Sequence, residues 1–289
     1  MTTASAMNIL SVQSAVAFGH VGNCAAVFPL QRLGFEVWAV NTVAFSNHPG
    51  YGAWRGQICS AALIAELLAG IEERGVLGSC SAVLSGYLGT VETGSALLDA
   101  VGKVKQANPA ALYCCDPVIG DRAGGAYVRP GIAAFFRERA LAQADLATPN
   151  HFELEALTGR PVRLLSDALL AADTLTAMGP RIVLVTSLER DDARAETSEM
   201  LVVEGDKSWL VATPALPIVV NGAGDALAAL FLGHYLLTRS AEQALAAAAA
   251  AVFGIIEATV KAGSRELQLV AAQSEIVAPT RRFVPLRVR

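Results

Sequence analysis

The sequence predicts a single α/β domain, a three-layer αβα sandwich with a mostly parallel central sheet and an edge hairpin. Three observations carry this expectation. Short β-rich runs alternate with longer helical patterns from residue 8 onward. The stretch Ile-Val-Leu-Val between Arg181 and Thr186 has no polar face, as a strand covered by helices on both sides requires. No Pro/Ser-rich linker divides the 289 residues, a length that one large domain can hold.

In chain order, residues 1–7 read as a flexible extension, 8–14 as a strand, 23–33 as a helix and 36–43 as a second strand, together a βαβ unit. The alternation continues with a helix over 58–74, a strand over 82–85, a helix over 95–106 and strands over 111–115 and 145–148. A helix starts after Asn150 and another covers 166–178. The runs 200–203 and 209–212, joined by Glu204-Gly-Asp-Lys-Ser208, form the expected edge hairpin, and the chain is then helical almost to its end. The alanine-rich tract 244–251 reads as a close helix–helix contact.

Composition excludes several classes. Hydrophobic residues are 53% and charged residues 17%, so the chain folds around a core rather than staying disordered. Net charge is −4 without a basic block, which argues against a nucleic-acid partner. Mean hydropathy of +0.45 raises the question of a membrane. The apolar tract 244–256 is shorter than the roughly 20 residues a span needs, so no membrane association is expected. The start of the chain lacks a secretion signal's charged and apolar regions. Five scattered cysteines, Cys24, Cys59, Cys80, Cys114 and Cys115, contain no C-x-x-C. A reducing cytoplasm is the expected location.

The segment Asn221-Gly-Ala-Gly-Asp225 feeds a glycine-rich turn into a helix. Free amides and the positive end of the helix dipole make such a start an anion site. Asp225 adds a carboxylate able to take a proton from a hydroxyl. An ordinary aspartate helix cap accounts for the same residues. Asp116 and Asp121 leave a strand at the carboxyl edge where α/β sheets bind ligands, and they suit a metal and phosphates, or simply a solvated turn. The loop 121–129 has the glycines of a lid. Asn150 and Glu153 suit Mg²⁺ and its waters, and equally a capping box. Ser14 ends the first strand, while Phe45, His48 and Tyr51 follow the second and suit an aromatic heterocycle, or the core. The chain has no Walker A loop, no H-E-x-x-H, no G-x-S-x-G elbow and no G-x-G-x-x-G after the first strand.

Taken in order, Ser14 with Gly19-His-x-Gly-Asn23, Asn41-Thr-Val-x-Phe-Ser-Asn-His48, Ser85-Gly-Tyr-Leu-Gly89, Cys115-Asp-Pro-Val118, Thr148-Pro-Asn150 and Gly222-x-Gly-Asp225 resemble the pyridoxal kinases of the ribokinase-like superfamily. The resemblance runs from about residue 8 to 273, and Phe-Ser-Asn-His separates this family from sugar kinases of the same fold. It implies one ribokinase-like kinase domain, a homodimer, and ATP-dependent phosphorylation of the 5′-hydroxymethyl group of pyridoxal. By the same resemblance Asp225 is the base, with Gly222, Ala223 and Gly224 at the transferred phosphoryl. Ser14, Val21, Val43, Phe45, His48, Pro49, Gly50 and Tyr87 match the substrate pocket. Asp116, Thr148, Asn150, Glu153, Thr186, Ser187, Thr213, Ala223 and Gly224 match the nucleotide region. Asp116, Asp121, Glu153, Thr148 and Thr186 match metal positions, for Mg²⁺ and, in some members, a monovalent cation such as K⁺.

Two departures stand out. Ala223 replaces a threonine common in the family, which removes a hydroxyl contact to phosphate, a loss of about 1–3 kcal/mol. Pro49 replaces a polar residue, so a substrate hydrogen bond is lost or moves to the backbone. The competing readings are a hydroxymethylpyrimidine kinase and a pyridoxal-binding protein without turnover.

Overall fold

The structure is a computed structural model that describes residues 7–289. The expected flexible extension lies mostly outside these residues. Met7 corrects its last position, because its carbonyl accepts from the Glu36 amide at 3.1 Å and its side chain packs on the core.

The chain runs β1 (Asn8–Val16), α1 (Asn23–Arg32), β2 (Glu36–Phe45), β3 (Gly56–Ile58), α2 (Ala61–Glu73), β4 (Cys80–Ser85), α3 (Val91–Ala107) and β5 (Leu112–Cys115). A two-strand hairpin follows, β6 (Gly120–Asp121) and β7 (Gly125–Ala126), then α4 (Ile132–Phe135), β8 (Leu146–Ala147), α5 (His151–Thr158), α6 (Leu165–Thr176) and β9 (Ile182–Leu188). The last third holds β10 (Thr197–Glu204), β11 (Lys207–Pro214), α7 (Ala223–Thr238), α8 (Ala241–Lys261), α9 (Gln273–Val277) and β12 (Leu286–Arg287).

Ten strands form one sheet in the order β12-β11-β10-β9-β8-β5-β4-β1-β2-β3. The pairings from β2 through β1, β4, β5 and β8 to β9 are parallel, and both edges are antiparallel. Successive residues feed opposite cores, as the strand period of two demands. Ile9, Ile182 and Leu184 pack against α1, α7 and α8, whereas Leu10, Val183 and Val185 join the layer that contains α2, α3, α5 and α6. That is why the apolar run after Arg181 has no polar face.

Several boundaries differ from expectation. The helix expected from 58 starts at Ala61 with Ser60 as its cap, because Gly56–Ile58 pairs with the edge of β2. Helix α3 begins at Val91, where the Thr90 hydroxyl accepts the Thr93 amide. The lid hairpin β6–β7, the helical turns over 132–143 and β12 were not expected. Helix α8 has 21 residues, long and apolar enough to cross a membrane by length and composition. Its alanine face, Ala244, Ala248, Ala249 and Ala251, is fully buried within the core shared with α7, as the expected close helix contact requires.

Candidate active site

The loops after the parallel strands meet the start of α7 at the carboxyl edge of the sheet. Gly222 is the residue before the helix, with φ 83° and ψ −5°. A Cβ there would overlap the His20 carbonyl oxygen and come within 2.8 Å of its carbon, so only glycine lets the two loops close together. The first intrahelical bond is Ala226 N–H to Gly222 O at 3.0 Å. The amides of the three preceding residues therefore have no intrahelical partner. No side chain caps the helix. The aspartate-cap alternative is thereby corrected: Asp225 is the third helical residue.

Across from Asp225 lies the first-strand serine. Gly22 precedes α1, and a Cβ on it would overlap both Ser14 oxygens. The Gly22 amide also favours the ionised form of Asp225, although burial prevails and pushes that carboxyl above the ordinary aspartate range. Ser14, Gly22 and Asp225 thus share one corner, with the free amides of α7 beside them.

Asp116 and Glu153 form the second side of the site. Asp116 is buried and accepts the Thr148 hydroxyl at 3.0 Å. Burial, then the charges of Glu153 and Asp225, push its carboxyl far above the usual range. Glu153 is pushed up to about 7 by burial, against the pull of the Asn150, Ile119 and Gly120 amides. Those amides occupy both of its oxygens, at 2.9 Å from Asn150 and at 2.8 and 3.4 Å from Ile119 and Gly120. The Asn150 side chain is committed as well, accepting from the Glu153 amide at 2.9 Å and donating to Gly120 O at 2.8 Å. The capping box is real, and it also anchors the base of the lid.

These hydrogen bonds show what the expected metal positions already hold. Glu153 has no oxygen free of a donor, and Asp121 sits exposed on the lid hairpin accepting the Gly124 amide at 2.6 Å. Among the described residues no three His, Cys, Asp or Glu side chains are grouped to hold a metal ion. What the structure does assemble is a buried field of three carboxyls, Asp116, Glu153 and Asp225, in which the charge of Asp225 acts on the other two. That field fits a cation carried in on phosphates.

Thr186 is buried at the end of β9, its amide on Pro149 O at 2.9 Å and bridged to Asn150, which places it near Thr148 and Asp116. Ser187 is exposed with φ 48°, and the buried Thr213 turns its hydroxyl to Ser198 O at 3.4 Å.

On the substrate side, Val21, Val43 and Phe45 form a small apolar cluster with Val16, and Tyr87 packs against it. Phe45 is buried and its ring lies 4.1 Å from that of Trp54. His48 caps a short turn, Pro49–Tyr51, its Nδ1 accepting the Gly50 amide at 3.1 Å. Pro49 occupies the first position of that turn, where a missing N–H costs nothing. Gly50 faces the Asn221 side chain, so the His48 loop abuts the α7 start.

Sequence reasoning missed three groups. Ser11, Gln13 and Asn23 form a buried network that reaches the exposed Asn41, with Ser11 donating to Asn23 at 2.7 Å and Asn23 to Asn41 at 2.8 Å. Polar residues inside the apolar β1 run were its signal. Tyr127, on the β6–β7 hairpin loop, keeps about half its side chain exposed, and desolvation of its hydroxyl, then the charges of Glu153, Asp121, Asp225 and Asp116, raise that group above the tyrosine range. Glu266 and Tyr51 make a contact 215 residues apart in sequence, for which no local pattern exists.

A helix-start anion site with a buried carboxyl beside it, at the edge of a parallel sheet, defines a small-molecule phosphotransferase of the ribokinase-like class. A family model described as phosphomethylpyrimidine kinase matches residues 75–269. The chain is 60% identical over 289 residues to pyridoxal kinase PdxY of Rubrobacter xylanophilus, covering all of both chains. It is 55% identical to pyridoxal kinase PdxY of Deinococcus radiodurans, over 97% of this chain and 96% of that one. The solved structure of Leishmania donovani pyridoxal kinase in complex with ADP and pyridoxine matches at a TM-score of 0.92 and 28% identity, covering 98% of this chain and 99% of that one. The chain belongs to the pyridoxal kinase family.

Proposed function

We propose that this protein transfers the γ-phosphoryl group of ATP to the 5′-hydroxymethyl oxygen of pyridoxal, with pyridoxine and pyridoxamine as further acceptors. The observation that carries the reading is the corner where the free first-turn amides of α7, the buried Asp225 carboxyl and Ser14 converge. The hydroxymethyl oxygen bonds to the γ-phosphorus as the bond from phosphorus to the β,γ-bridging oxygen breaks, ADP leaves, and the hydroxyl proton passes to Asp225. Burial raises the basicity of that carboxylate, which suits it to accept the proton. The amides at Ala223 and Gly224, with the helix dipole, stabilise charge on the moving phosphoryl group. His48, Phe45 and Tyr87 border the ring.

Mg²⁺ bound with the nucleotide would lie against Asp116 and Glu153 and neutralise phosphate charge there. Thr148, Thr186 and Asp116 are the groups for a monovalent cation such as K⁺. With Ala223 the phosphoryl site relies on backbone donors, and beside Pro49 the Gly50 and Tyr51 amides are spent on His48. A homodimer in the cytoplasm completes the proposal. The described cysteines are unpaired, as a reducing compartment requires.

An ADP-release assay with pyridoxal and, separately, hydroxymethylpyrimidine tests the reading. Turnover is expected on pyridoxal, and preference for the pyrimidine would overturn it. Asp225→Asn should melt no lower than wild type and lose about 10²–10⁴ in kcat, the range of a positioned general base. Near-normal turnover would remove Asp225 from that role.

A further inference from the structure

Glu266 lies outside every segment that bears the reaction. It sits in the loop after α8, held by its neighbours: the Ser264 hydroxyl donates to Glu266 O at 2.8 Å and accepts the Glu266 amide at 3.0 Å. Gln268 donates to the same carbonyl at 3.1 Å, and its own amide bonds the Thr259 hydroxyl at 3.0 Å. Leu267 and Leu269 on either side are buried in the core. The backbone that carries this carboxylate is therefore rigid.

Its two oxygens reach two different loops. Oε2 accepts the His20 amide at 2.9 Å, and Oε1 accepts the Tyr51 hydroxyl at 2.6 Å. Gly19, with φ 99°, lies so close that a Cβ there would meet Cδ at 2.7 Å and Oε1 at 2.8 Å. The Tyr51 ring is also gripped by the Arg265 guanidinium, 4.4 Å from its centroid.

Each loop leads on to the reacting centre. His20, through its carbonyl, is the group against which Gly222 packs at the start of α7. Tyr51 closes the turn whose Gly50 amide orients His48 and whose Gly50 faces Asn221. One carboxylate thus ties together the loop behind the phosphoryl amides and the loop that presents the substrate-side histidine. An alanine there accepts from neither donor, and a glutamine offers one oxygen where the carboxylate offers two.

We propose that Glu266 is a positioning residue for this kinase: it sets the distance between the substrate loop around His48 and the α7 start, acting through Tyr51 and His20. The proposal rests on the pyridoxal kinase reading given above. Small errors in such a distance are costly, since roughly 1 Å of misplacement lowers rates by about a hundredfold.

Steady-state kinetics and amide hydrogen exchange on the full chain test it. Glu266→Ala is expected to raise KM for pyridoxal about tenfold and to lower kcat about tenfold, with KM for ATP within twofold, because neither loop holds the nucleotide-side threonines. Amides at 18–22, 48 and 50–52 should exchange about tenfold faster while those of β9 stay unchanged. Tyr51→Phe, which removes one branch, and Glu266→Gln, which keeps one acceptor, should fall between wild type and Glu266→Ala. They also carry the test if Glu266→Ala does not fold. Wild-type KM for pyridoxal, kcat and exchange in these two variants would overturn the proposal, as would equal changes in both KM values. If the wild-type protein turns over no pyridoxal, the kinase reading fails by itself, and the exchange rates alone then decide whether Glu266 couples the loops.

Discussion

Replacing Gly222 with alanine should damage stability and catalysis together, and the structure sets the size of both effects. The residue has φ 83°, a conformation that costs a side chain-bearing residue roughly 1–2 kcal/mol. The added Cβ would overlap the His20 carbonyl oxygen. That carbonyl cannot simply retreat, since the His20 amide is tied to Glu266. Relief has to come from shifting the α7 start, and forced backbone of this kind adds about 1–3 kcal/mol. The total, about 2–5 kcal/mol, corresponds to a fall in Tm of roughly 3–8 °C for a domain of this size. Moving the amides by roughly 1 Å from the phosphoryl group should lower kcat/KM at least about a hundredfold. Gly224→Ala is the control, because a Cβ there meets nothing within 4 Å, and its Tm should not fall. Calorimetry and the ADP-release assay read the two effects. A Gly222→Ala protein that melts within about 2 °C of wild type with unchanged turnover would refute the claim that this glycine is needed for close approach.

Two further outcomes follow from buried charge. Glu153 is pushed up to about 7, and Asp116 and Asp225 are raised as well, so the folded chain holds more protons than the unfolded chain above the ordinary carboxylate range. Stability without divalent cation should therefore fall as pH rises from about 5 to 8. Mg²⁺ with nucleotide should flatten the slope, and Glu153→Gln should reduce it. Thermal scans at several pH values check this, and a flat or rising profile in the apo wild type would contradict it. Elsewhere, Glu199 bonds Arg190 through both oxygens, at 2.6 and 3.0 Å, with the two side chains only 3% and 10% exposed. Glu199→Ala should cost about 3 kcal/mol by leaving a buried guanidinium short of a partner. Glu72→Ala, at the exposed pair with Lys103, should cost less than about 1 kcal/mol, and chemical denaturation compares the two.

Much of the site was legible because its signals are local. The Asn150–Glu153 box is spelled within four residues and closes as written. The glycine turn before α7 and the acid after β5 likewise announce themselves beside strands and helices whose periods are clear. What misled was also local logic. Asp225 looks like a cap by residue type, yet Gly222 takes that position because the His20 loop leaves no room for a side chain. Glu153 and Asp121 read as metal positions by charge, and the structure adds that each also accepts a backbone amide, from Ile119 and from Gly124. The short strand β3 overlaps the expected helix at Ile58 and went unread before it, because only pairing with β2 makes it a strand.

The residues by themselves determined the alternation of strands and helices, the apolar faces that stack them into three layers, and the order of motifs along the carboxyl edge. These follow from side-chain period and turn chemistry, which act over a few neighbouring positions. Only the folded chain decided that Ser14 stands by Asp225, that Tyr127 feels the charge of four acids, and that Glu266 holds two loops against α7. Such meetings depend on loop closures spanning up to hundreds of residues, whose geometry is set by the packed sheet and not by any stretch of sequence alone.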